Sequence, residues 1–186
     1  WYTASLFDSC WGGTTPVGTV TSAGQVWMDR NLGASRVAIS STDSEAYGDM
    51  YQWGRGTDGH EKRTSPTTSV LSSSNNPGHG NFIIGSGDWR DQQENDLWQG
   101  VSGTNNPCPS GFRLPTATEL QTELASWNTW NAAGAFASPL KLVVAGYRNS
   151  NGEIYSENMF GYCWSSTVDD TYNTFTNALG FDNFLG

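Results

Sequence analysis

The chain has 186 residues, of which 36% are hydrophobic, enough for one globular domain to bury a core unaided and too few for two uncrowded ones. Its formal charge of −9, with an isoelectric point near 4.4, argues against nucleic-acid and anionic-membrane surfaces, because neutralising phosphates takes clustered lysine and arginine. No run approaches the length of a membrane-spanning helix, and Trp1 opens without a basic or apolar leader, so the chain reads as a mature or excised piece of something longer.

Nine tryptophans together with 22 glycines predict an aromatic core carried by many turns. Residues 1–24 mix aromatics with the turn-rich run Gly12-Gly13-Thr14-Thr15-Pro16 and read as an irregular lead-in or a link to an upstream module. Gly24 to Leu32 alternates weakly, as a half-buried strand would. Tyr47, Met50, Tyr51 and Gly54 fall at i, i+3, i+4 and i+7, which predicts a short helix over 44–54 whose aromatic stripe is core. From Gly54 to about Gly87 hydrophobic periodicity stops, and loops of that length are functional or folded on their own side chains. Asp88 to Trp98 is polar between two tryptophans; its oxygens suit calcium chemically, but their spacing matches no calcium loop.

Local instruction is densest in PCPSGFRLPTATEL, residues 107–120. Pro107, Pro109 and Pro115 hold the chain extended through Phe112-Arg113-Leu114. Thr116 followed by Glu119 is a capping-box pattern, and Leu120, Leu124 and Trp127 share one face of the helix it starts, Ala117 to about Ser126. PLKLVVAGY, 139–147, is an apolar run of strand length, forming a hairpin with Glu153-Ile154-Tyr155 through the turn Asn149-Ser150-Asn151-Gly152. Phe160 to Thr167 reads as a bulky central strand, and Tyr172 to Phe181 as an alternating edge strand. Together these give an α+β chain with a small antiparallel sheet, two short helices and long loops.

Cys10, Cys108 and Cys163 lack the close pairs that zinc and redox sites need, and His60 and His79 have no cysteine or second histidine nearby, so no metal role is expected of them. In an oxidising compartment Cys108 can bridge to either Cys10 or Cys163, and the sequence does not choose. Cys163 also suits a buried free thiol acting as a small hydrophobe.

VWMDRNLGA (26–34), AYGDMYQWGR (46–55), DLWQGVSGTNNPCPSGFRLPTATEL (96–120), SPLKLVVAGYRN (138–149) and GYCWSST (161–167) occur in that order. Over roughly residues 20–181 this succession closely resembles the Fibrobacter succinogenes major paralogous domain, itself similar to the C-type-lectin-like and formylglycine-generating-enzyme-like folds. The resemblance implies one C-type-lectin-like domain over 25–186, extracellular or at a cell surface, bacterial or phage-borne. Family members continue past the position of Phe184 into a strand whose cysteine looks like the partner of Cys108, so the resemblance also implies a missing last strand. Cys163 stands where an aromatic is usual.

A binding and adhesion module is the reading that follows, with a glycan or surface protein as ligand and no nucleic-acid or membrane-inserted partner. Its patch is Tyr147, Arg148, Asn149, Tyr155, Tyr172, Asn173, Phe175 and Asn177, with Trp164 beside them unless it is core. Tyrosine offers large contact area at low entropic cost, and asparagine offers adaptable hydrogen bonds. The alternative is a structural subunit or tip domain of an extracellular filament or phage tail fibre, assembling through an upstream module or its own copies. Catalysis is not expected: no nucleophile-base, metal or phosphate-loop pattern appears.

Overall fold

The computed structural model describes residues 18–85, 87–168 and 176–184. The strands are β1 (Thr19–Ser22), β2 (Gln25–Met28), β3 (Thr67–Thr68), β4 (Phe82–Ile83), β5 (Tyr147–Arg148), β6 (Ile154–Tyr155), β7 (Phe160–Val168) and β8 (Thr176–Asp182). They pair as β1 with β2, β3 with β4, β5 with β6 and β7 with β8, all antiparallel except the short β3–β4 pair. Helices α1 (Ala117–Ala125) and α2 (Ala132–Ala137) complete a mixed α+β architecture. No helix among the described residues is long and apolar enough to cross a membrane.

Helix α1 starts as its sequence dictates. Glu119 N donates to Thr116 Oγ1 at 3.3 Å while Thr116 N donates to Glu119 Oε2 at 2.8 Å, closing the capping box. Leu120, Trp127 and partly buried Leu124 then pack with Trp27, Leu140, Leu179 and Phe181 in the largest core cluster. Proline-rich residues 107–116 form no ladder, but Pro115 O accepts from Ser166 N at 2.8 Å, which ties the joint to β7.

Three expectations need correction. The 44–54 stretch holds only a 3₁₀ turn, Ser44–Ala46, because Gly48 turns left-handed at φ +71° and residues beyond it bond elsewhere, Met50 N to Glu61 O at 2.7 Å. The second α-helix is instead α2, started by Asn131, whose Oδ1 accepts from Ala133 N and Gly134 N. Residues 139–146 are buried coil, not strand: Lys141 adopts φ +50°, and Val144 bonds through its N–H to Ser41 O and through its C=O to Asn158 N. Strand β7 is not central among the described residues, where its ladder partner is β8 alone. In addition, β1 falls inside the stretch read as lead-in.

Tryptophan side chains stitch the loops to this frame. The carbonyls of Tyr51, Trp53 and Arg55 each accept an indole N–H, from Trp164 at 2.9 Å, Trp89 at 2.8 Å and Trp98 at 3.2 Å. An indole satisfies a buried carbonyl while adding apolar bulk, so a chain with few regular ladders can still pair its backbone. The long excursion after Gly54 is organised by Arg55, fully buried, which donates to Asp58 Oδ2, Gln52 Oε1, Asn81 O and His79 O at 2.8–2.9 Å.

Candidate binding face and cleft

Strand β7 alternates small inward residues with large outward ones. Gly161 faces the core, and a Cβ there would collide with the Phe181 ring. Phe160, Tyr162 and Trp164 take the opposite face, as period-two geometry requires. Tyr162 is 49% exposed and Trp164 39%, joined by Tyr147 at 38% and Tyr155 at 37% from the β5–β6 hairpin. Tyr147 meets Tyr162 edge-on with ring centroids 5.5 Å apart and lies 6.0 Å from Tyr155; Phe160 stacks on Tyr162 at 6.2 Å. These are aromatic-pair distances, so the rings hold one another in place while staying open to solvent.

Beside this face lies a cleft of about 550 Å³, lined chiefly by apolar side chains and bordered by Met28 of β2, Leu114, Leu142 and the Tyr162–Trp164 stretch of β7. Cys108 and Cys163 line it as free thiols, so the Cys108–Cys163 bridge does not form; Cys10 lies outside the described residues. Burial pushes both thiols up to about 12, which leaves them protonated and poorly nucleophilic at neutral pH.

The expected patch is brought together in part. Tyr147 and Tyr155 are on the exposed face. Asn149 serves the hairpin turn, its N–H donating to Glu153 O at 2.9 Å and its Oδ1 accepting from Ser150 N. Arg148 turns inward: Nε donates to Gly152 O and the guanidinium to Ser65, 4.3 Å over the Phe82 ring, so its charge is committed to the fold. Tyr172, Asn173 and Phe175 lie outside the described residues, as does the side chain of Asn177. Tyr162 and Phe160 belong to the face and were missed; the alternation in Phe160-Gly161-Tyr162-Cys163-Trp164 carried the signal. Trp164 is rim, not core.

Among the described residues, the one convergence of metal-type ligands is Asp58, His60 and Glu61, not the acidic segment 88–98. Hydrogen bonds account for it. His60 Nε2 accepts from Gln52 N at 3.0 Å, which puts the ring proton on Nδ1, 2.8 Å from Asp58 Oδ1, while Asp58 also pairs with Arg55 and Glu61 Oε2 accepts from Gly59 N. Burial lowers the His60 pKa, in keeping with that neutral tautomer. Comparisons with family models, curated proteins and solved structures find no match to this chain.

Proposed function

We propose that the chain is an extracellular or cell-surface recognition module of C-type-lectin-like type, binding a glycan or a surface protein through the aromatic face of β5–β7. The observation that supports it is Tyr147, Tyr155 and Tyr162 packed ring to ring, with Trp164 on the same face of β7, each more than a third exposed. An apolar surface kept in water by its own packing marks an interaction site, and tyrosine and tryptophan faces suit sugar rings as well as protein surfaces. Catalysis has no support here, since the thiols are pushed up by burial and His60 is committed to Gln52 and Asp58.

The test is a screen of the chain against immobilised oligosaccharides, followed by titration with tryptophan fluorescence. Saturable quenching that Trp164→Phe removes is expected. A chain that captures no oligosaccharide, and no protein from a surface-protein panel, contradicts the reading.

A further inference from the structure

The hydrogen-bond phase of the strands shows what else the cleft is built to take. In an antiparallel ladder, residues alternate between pointing their N–H and C=O at the partner and pointing them away. Asp29 N donates to Gly18 O at 2.9 Å, so Asp29 and, two residues back, Trp27 face β1, whereas Val26 and Met28 face away from it. On β7, Asn183 N donates to Met159 O, so Met159, Gly161 and Cys163 face β8. Phe160 O accepts from Gly146 N at 2.8 Å on the opposite edge, and Tyr162 and Trp164 share that orientation. Ser166 N closes the far end on Pro115 O.

Between these two closures, the N–H and C=O groups of Tyr162 and Trp164 have no main-chain partner among the described residues, and neither do those of Val26 and Met28. Met28, Tyr162 and Trp164 border the same cleft, which places residues from both open edges on its wall. From Phe160 to Ser166 the β7 edge spans roughly 20 Å at about 3.3 Å per residue. Two open edges flanking an apolar cleft are what an inserted strand needs: donors and acceptors on each side, and an apolar floor for alternate side chains.

We propose that this cleft is a strand-acceptor slot, taking an extended segment of a partner polypeptide with apolar side chains at alternate positions and joining the β1–β2 and β7–β8 pairs into one five-stranded sheet. A sugar or a compact apolar ligand would leave the edge groups of Tyr162, Trp164, Val26 and Met28 unanswered; an extended peptide answers them in register. The slot uses main-chain groups, whereas the glycan or protein face uses side chains, so either can fail alone.

The test uses the whole chain and a synthetic seven-residue peptide of alternating valine and threonine with lysine at each end, its positive ends suiting a chain of charge −9. Amide hydrogen exchange is read at Val26, Met28, Tyr162 and Trp164 with and without peptide. Exchange at these four amides is expected to slow at least tenfold at saturation, while a version N-methylated at every amide, which can donate at neither edge, gives no protection. Three results would overturn the proposal: no protection by the peptide, equal protection by the N-methylated control, or amides already protected in the chain alone, which would mean that its own residues fill the slot.

Discussion

Arg55 shows how a single side chain can replace a ladder. It is fully buried, and its four acceptors span residues 52 to 81, so the excursion after Gly54 folds around one guanidinium. Removing it takes the donor from Asp58 Oδ2 and from two carbonyls, and Arg55→Ala is expected to cost about 3–5 kcal/mol in denaturant unfolding. Arg55→Lys should recover little, because a point ammonium cannot replace the planar fork. Glu119 makes a prediction in pH. Its hydrogen bond from Arg113, 2.7 Å away, holds its pKa down at about 2 despite partial burial. A carboxylate depressed in the folded state stabilises above its unfolded value and loses that contribution as pH falls through the folded one. Stability should therefore drop between about pH 4.3 and 2 by roughly 1–2 kcal/mol from this group, after allowing for solvent on the pair, and Glu119→Gln should flatten that drop. His60, lowered by burial, adds a loss that begins nearer pH 6.5, where the unfolded imidazole starts to protonate. Denaturant titrations at pH 7.5, 5.5 and 3.5 separate the two.

At the scale of elements, what was legible was what local chemistry dictates. Thr116 and Glu119 specified α1 through a cap that needs no tertiary partner, and Thr116→Ala should cost about 1 kcal/mol. The 44–54 stretch had helical spacing, yet Gly48 sits at φ +71° with its Cα facing Leu32 O, where a Cβ would collide. Gly48→Ala is the discriminating variant: a helix would gain up to about 1 kcal/mol from it, whereas this turn should lose at least about 1 kcal/mol in thermal or denaturant melts. The apolar run 139–146 resembled a strand because burial on all sides and burial in a sheet leave the same composition. What decides between them is the acceptor on Ser41 and the donor on Asn158, residues distant in sequence. Pairing between β7 and β8 was out of reach for the same reason, although β7 and β8 were each located to within a few residues.

Across the molecule, few long ladders are present, and indole and guanidinium groups tie the loops to them. That leaves the aromatics in two roles that composition cannot separate. Trp98 is wholly buried under Arg55 O, while Trp164 uses the same indole chemistry at the rim with its ring in solvent. The candidate face was accordingly legible at Tyr147 and Tyr155, where the hairpin was clear, and illegible at Tyr162, whose bulk looked like core. The central claim is that these outward rings serve recognition and not stability. Its most direct test is the double variant Tyr155→Ala, Tyr162→Ala, measured in parallel for capture of the best oligosaccharide or surface protein from the screen and for melting temperature. The account predicts at least a tenfold loss of affinity in a variant that stays folded, with a stability loss of about 1–3 kcal/mol, as for two half-buried rings that pair with neighbours. Unchanged capture, or a loss of affinity that merely follows a collapse in melting temperature, would contradict it.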